Sequence, residues 1–238
     1  QPAREALGAH RYRGETYAVP WFLDVGMLYF RTDLVAEAPA TFEDLTRIAR
    51  RLVQSGAVKY GFVWQGARYE GLVTVFVQHL GGFGGRLLAD SGRAAVHEPE
   101  AVRALAWMRD SIARDGTVPE AVLGFQEEQA RLAFQNGDAA FMRNWPYAAA
   151  LLSDPEKSRV AGRFGVAPMP SAPGGAPTAA HGGGALAVSA HSEHPEEALA
   201  LVRFLTAREQ MIERAHGAGQ LPARVSAFDG DALDGAFP

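Results

Sequence analysis

Apolar positions along this chain recur at two spacings, and the two spacings alternate. "TFEDLTRIARRLVQ" (residues 41–54) puts Leu45, Ile48, Ala49, Leu52 and Val53 on one helical face, with Thr41 as N-cap and Asp44 three residues on. "YGFVW" (60–64) is a short apolar strand, and "EGLVTVFVQHLGGFGG" is an apolar helix stopped by glycines. "EPEAVRALAWMRDSIARDG" predicts a helix with Pro99 in its first turn and Gly116 past its end. "QEEQARLAFQNG" predicts another, followed by the strand "AAFMRN" and a short helix from "WPYAAALL". Upstream, "TYAVPWFLDVGMLYFRTDL" reads as two extended segments, Tyr17–Pro20 and Gly26–Phe30, with Asp24 between them as a turn residue. Downstream, the loop-like "SAPGGAPTAAHGGG" (171–184) leads into the strand "ALAVSA" and one helix from Pro195, "PEEALALVRFLTAREQM". After about residue 217 the chain is rich in Gly, Asp and Ala and shows no capping signal. Strands alternating with amphipathic helices predict an α/β fold.

Composition narrows the function classes. The 238 residues are 47% hydrophobic and 21% charged, an ordinary globular balance long enough for a substantial core. The net charge of -4, with both signs interspersed, argues against nucleic acid as a partner. No apolar run reaches the roughly 20 residues that span a bilayer. The absence of cysteine removes thiol nucleophiles, zinc–thiolate sites and disulfides together. The opening "QPAREALGAH" has no apolar signal-peptide core.

Candidate chemistry is sparse. There is no G-x-S-x-G elbow and no H-E-x-x-H spacing, and the pair His191 and His194 has no acidic metal partner pattern; neither a metal nor a cofactor is expected. "GGFGG" (81–85) follows a helix and "HGGGA" (181–185) precedes a strand, the wrong order for a phosphate cradle. "ARYEGLVT" (67–74) sets an aromatic ring, a carboxylate and a flexible residue at a strand-to-helix junction. Asp24 and Glu70, each beside aromatics, are a candidate carboxylate pair for a glycoside hydrolase. The plainer reading makes Glu70 a first-turn acid favoured by the helix dipole. Trp21, Phe22, Tyr69, Trp145 and Tyr147 all fall at element ends rather than on helical core faces. Flat rings beside carboxylates suit a ligand with apolar C–H faces and a hydroxyl rim, as in a sugar.

Five blocks in order, "YAVPWFLDVGMLYFRTDL", "PATFEDLTRIARRL", "QGARYEGLVTVFVQHLGG", "FQNGDAAFMRNWPYA" and "GGGALAVSAHSEHPEEALALVRFLTAREQ", are distributed along residues 16–213. In this the chain resembles the extracellular sugar-binding proteins of bacterial and archaeal ABC importers (solute-binding protein family 1), and within them the trehalose/maltose-binding branch. The resemblance implies a periplasmic-binding-protein-like two-lobe fold of type II, here mostly the second lobe plus part of the first. Residues 1–25 would hold part of the first lobe and the first crossing, 26–180 the second lobe, and 181–238 the second crossing and return. Carried over by position, the sugar contacts are Phe22, Asp24, Tyr69, Glu70, Gly71, Trp145 and Tyr147, with the backbone of Gly182 and Gly183. The implied ligand is a disaccharide such as trehalose or maltose held in an interlobe cleft, and the implied partners are the ABC permease subunits.

The resemblance also implies a non-catalytic monomer, periplasmic or anchored at the cell surface. Some relatives carry tryptophan where this chain has Gly184, which would enlarge the cleft here. Family members also extend beyond both ends of this chain, so residues 1–238 are expected to look like an internal piece, with sugar binding weakened or absent in isolation. The hydrolase using Asp24 and Glu70 is the rival reading, and an interaction module with no small ligand is the third.

Overall fold

A computed structural model describes residues 8–237. The opening residues 1–7, on which most of the signal-peptide reading falls, lie outside that range. In chain order the strands are β1 (Arg11–Tyr12), β2 (Glu15–Thr16), β3 (Val19–Val25), β4 (Met27–Arg31), β5 (Tyr60–Val63), β6 (Ala139–Asn144), β7 (Phe164–Ala167), β8 (His181–Leu186) and β9 (Leu221–Pro222). The named helices are α1 (Phe42–Gln54), α2 (Glu70–Gly82), α3 (Pro99–Ala113), α4 (Glu127–Gln135), α5 (Tyr147–Leu152), α6 (Pro195–Leu205) and α7 (Arg208–Ala218). The chain divides into two compact units, one of Gly26–Ala180 and one drawn from Gln1–Val25 with His181–Pro238.

The unit Gly26–Ala180 is built on a four-stranded sheet in the order β5-β6-β4-β7. β5 and β6 run parallel, while β4 is antiparallel to both β6 and β7. Strand alternation sends Leu28 and Phe62 to one face and Tyr29 and Val63 to the other. The first face packs on α1, α2 and α3 through Leu45, Ala49, Leu52, Val75 and Met108, the second on α4 and α5 through Ala130, Phe134, Ala148 and Leu152. Both faces are therefore covered, which is why β6 has no exposed position. α1 begins as its pattern predicts, with the Thr41 hydroxyl accepting the Asp44 amide at 3.0 Å.

The other unit carries the β1–β2 hairpin and an antiparallel sheet in the order β8-β3-β9. Here three sequence expectations give way. Asp24 is inside strand β3, paired with Gly182, and is not a turn residue, because β3 is flanked by β8 and β9 and stays extended to Val25. The glycine-rich stretch at 181–184 is strand β8 rather than loop, since an antiparallel partner satisfies its backbone. The long helix expected from Pro195 is two helices. It breaks at Ala207, which is extended (φ -64°, ψ 151°), and Arg224 donates from Nε (3.2 Å) and Nη2 (3.1 Å) to the Thr206 carbonyl left at the break. α7 then ends on Gly219 in the left-handed conformation (φ 63°), a stop that the composition beyond residue 217 does not advertise.

Two residues carry constraints that measurements of stability can read. Gly183 has φ +133°, and a Cβ there would fall on the Phe22 carbonyl oxygen across the ladder. Gly183→Ala is expected to destabilise the protein by about 1–3 kcal/mol in denaturant unfolding. Gly217→Ala, in α7 with open space around its Cα, should be neutral or stabilising. An equal effect of the two substitutions would contradict this reading. His79 is 0% exposed in a cage of Phe42, Phe62 and Trp107, and neither ring nitrogen makes a hydrogen bond of normal geometry among the described residues. Burial, and then the nearby Arg143 charge, push His79 down to about 3, opposed by the Val75 backbone. The unfolded chain therefore binds a proton that the folded one refuses. Stability is full above about pH 6.5 and falls as the pH drops below it, by about 1.4 kcal/mol per pH unit from this residue. Against wild type, His79→Leu should lose that component of the slope between pH 6.5 and 5; parallel curves for the two proteins would contradict the assignment.

Candidate functional site

The candidate site lies at the carboxyl ends of the parallel pair β5 and β6, where an α/β sheet leaves a crevice. Beyond Val63 the chain runs through Trp64 and Gln65 to Tyr69, which caps the start of α2. The Gly66 and Ala67 amides both donate to the Phe125 carbonyl at 3.0 Å, binding this loop to the segment that enters α4. Beyond Asn144, strand β6 turns through Trp145 and Pro146 into α5, which opens on Tyr147.

The first turn of α4 joins these two junctions. Glu127 accepts from the Tyr69 hydroxyl at 2.7 Å on Oε2 and from the Trp145 indole at 3.3 Å on Oε1. Its backbone carbonyl accepts from Asn144 Nδ2 at 3.1 Å, and Asn144 Oδ1 accepts the Trp145 amide at 2.9 Å. Glu128 accepts from the Tyr147 hydroxyl at 2.7 Å and from Arg131 Nε at 3.0 Å. One carboxylate thus spans two aromatic rings from separate junctions, and the next holds a third.

The electrostatics agree with this bonding. Burial raises the Tyr69 phenol well above the ordinary tyrosine range, and its hydrogen bond to Glu127 raises it further. Tyr147 is raised by burial and then by Glu128. Glu128 is held below the usual carboxylate range by Arg131 and by the Tyr147 hydroxyl, against a smaller opposing effect of burial than of Arg131. Both phenols therefore stay protonated donors and Glu128 stays an ionised acceptor. None of these groups is poised to pass a proton near neutral pH.

Behind the rings sits Arg143, a strand residue with 0% exposure. Its guanidinium carbon lies 3.8 Å from the Trp145 ring centroid. Nε donates to Gln78 Oε1 and Nη1 to Gln65 Oε1, both at 2.9 Å. Gln65 Nε2 donates back to the Arg143 carbonyl at 3.1 Å, and Tyr29 donates to the Trp145 carbonyl at 2.7 Å.

Of the residues expected from the sequence, Tyr69, Trp145 and Tyr147 are brought together here. Gly71 is buried directly beneath Tyr69, where any Cβ would strike the phenol ring. Glu70 opens α2 with an exposed side chain that makes no hydrogen bond or ion pair among the described residues. Phe22, Asp24, Gly182 and Gly183 belong to the other unit, on adjacent rungs of the β3–β8 ladder, with Phe22 and Asp24 on one face of β3. There the Phe22 ring lies over Gly184, so a larger side chain at 184 would have to displace that ring rather than fill free space. Sequence reading missed Glu127 and Glu128, which stand in the first turn of α4, where acidic residues are common on any helix. It also missed Arg143, whose one signal was a charge inside the apolar strand "AAFMRN".

A family model described as "Bacterial extracellular solute-binding protein" matches residues 2–212. A "Probable ABC transporter-binding protein" of Deinococcus radiodurans is 42% identical over 233 residues, 92% of this chain and 54% of the relative. A "Maltooligosaccharide ABC transporter solute-binding lipoprotein" of Streptococcus pneumoniae is 26% identical over 241 residues, 90% of this chain and 50% of the relative. The solved structure "Maltose bound T. maritima MalE3" superposes with a TM-score of 0.93 at 43% identity, covering 98% of this chain and 61% of that one. The fold is the type II periplasmic sugar-binding fold, and the chain spans about half the length of these curated relatives.

The Glu127 bridge is testable apart from any ligand. Glu127→Ala is expected to cost about 1–3 kcal/mol, because it leaves two partly buried donors without their charged acceptor. Glu127→Gln should cost less, since its one amide oxygen still accepts from one ring. In spectrophotometric titration, Tyr69 should ionise at lower pH in Glu127→Ala than in wild type. An unchanged phenol titration, assigned with Tyr69→Phe, would contradict the bridge.

Proposed function

We propose, since the chain belongs to the bacterial extracellular solute-binding protein family, that it is the sugar-binding part of an ABC importer's solute-binding protein and takes a maltose-type disaccharide. The observation that carries the reading is the Glu127 bridge, which holds Tyr69 and Trp145 side by side at the strand ends. Two flat rings give apolar faces for the C–H surfaces of a pyranose, and the carboxylates around them give acceptors for its hydroxyls. The maltose-bound neighbour at 43% identity supports a glucose disaccharide. Maltose is the first candidate, and trehalose rests on the sequence resemblance alone.

In this reading Trp145 and Tyr147 stack on the sugar, Tyr69 walls it, Glu70 offers a free acceptor and Gly71 makes room for Tyr69. Phe22, Asp24 and the backbone of Gly182 and Gly183 are the contacts that the other unit contributes. Gly26–Ala180 is the second lobe, and the remaining residues belong to the first. The protein works as a monomer in the periplasm or at the cell surface and hands its ligand to an ABC permease.

The reading is non-catalytic, as the relatives' names as binding proteins suggest. The engagement of Glu127 and Glu128 by ring donors and Arg131 favours it, because both carboxylates are occupied in holding the rim together. Calorimetric titration of maltose and trehalose into the full-length protein and its Trp145→Ala variant tests it. Trp145→Ala should weaken binding by about 2 kcal/mol or more, the range of a buried aromatic hot spot. The sugar should also be recovered intact after long incubation. Unchanged affinity in the variant would remove Trp145 from the site, and released glucose would favour the hydrolase instead.

A further inference from the structure

The backbone crosses from one unit to the other at Val25–Gly26 and returns at Ala180–His181. Within the unit Gly26–Ala180 these two ends are tied together, the Gly26 amide donating to the Ala180 carbonyl at 3.1 Å. The Gly26 carbonyl is tied as well, accepting from Gln78 Nε2 at 2.7 Å. Gln78 is 1% exposed, and its other amide atom, Oε1, accepts from Arg143 Nε at 2.9 Å. Arg143 in turn stacks on Trp145 at 3.8 Å. A continuous buried chain therefore runs from the Trp145 indole through Arg143 and Gln78 to the peptide at the crossing.

The packing leaves this chain little slack. A Cβ on Gly26 would collide with Gln78 Oε1 and lie 2.7 Å from Arg143 Nη2, so the glycine is what lets both side chains press on the backbone. Gln65 holds Arg143 from a second side at 2.9 Å. In such a low-dielectric network every bond polarises the next, and a shift at one end is resisted at the other.

We propose that Arg143 and Gln78 are positioning residues that couple the state of the Trp145 ring to the crossing peptide at Gly26. A ligand that stacks on Trp145 restrains the indole, and through it the guanidinium, Gln78 and the Gly26–Ala180 link. The ligand step rests on the sugar-binding reading above, whereas the coupling itself does not. The contacts form one contiguous network from the indole to the crossing peptide.

Site-resolved amide hydrogen exchange by nuclear magnetic resonance measures it. Without ligand, Trp145→Ala and Arg143→Lys should each speed exchange of the Gly26 amide several-fold more than that of Leu45, a core amide of α1 outside the network. Leu52→Ala, a core truncation elsewhere in the same unit, should speed both alike. Equal acceleration of Gly26 and Leu45 in the Trp145 and Arg143 variants overturns the proposal. In the full-length protein, saturating maltose should slow exchange of the Gly26 amide. Gln78→Glu keeps the acceptor toward Arg143 but removes the donor to the Gly26 carbonyl, and the slowing should vanish there while maltose still binds. Undiminished slowing in that variant also overturns the proposal. If the ligand-free difference is seen and calorimetry on the full-length protein detects no maltose binding, the coupling stands and the sugar reading falls.

Discussion

Arg143 carries a charge into the middle of strand β6, at a position with no exposure to solvent. An ionised group so placed costs several kcal/mol unless its hydrogen-bonding capacity is met. The surrounding residues answer much of that demand. Gln65 comes from the end of β5 and Gln78 from the inner face of α2, each turning an amide oxygen to the guanidinium, and Trp145 covers it with a ring face. The same charge helps keep the neighbouring His79 neutral. Helix α2, the ends of β5 and β6 and the peptide at Gly26 are therefore held in register by a single side chain. The aromatic rim lies directly against it.

The rim itself is a second layer of satisfaction. Each ring that presents a flat face also has a polar edge, and Glu127 and Glu128 take up those edges so that the faces are left for packing. This division of labour explains why the carboxylates nearest the aromatic residues suit binding better than proton transfer. Asp24 and Glu70, the pair that the sequence offers to a hydrolase, sit in separate units, one inside a paired strand and the other at an exposed helix start.

Much of the fold is legible in the sequence because local rules and tertiary structure agree there. Thr41 caps α1, the "AAFMRN" run is β6, and the "YEGL" junction opens α2, each from patterns that need no distant partner. The failures share one cause. Asp24, Gly182 and Gly183 look like turn and loop residues, and only a partner strand reveals them as a ladder. The break at Ala207 is accompanied by Arg224, which lies 17 positions on and donates to the carbonyl just before the break. The candidate site divides in the same way. Tyr69, Trp145 and Tyr147 are visible as rings at element ends, whereas Glu127 becomes a site residue only when a helix 58 positions after Tyr69 folds against it. Arg143 is the instructive case: a charge in an apolar strand is a visible anomaly, and its explanation lies in two glutamines far from it in sequence.

In the proposed reading, the aromatic rim held by Glu127 and Arg143 receives a sugar. The indole N–H resonances of the tryptophans report it most directly during a maltose titration of the full-length protein. The Trp145 resonance should move in proportion to saturation, while that of Trp64, buried at 2% exposure in the core, should stay in place. Saturable maltose binding that leaves the Trp145 indole unmoved would contradict the account.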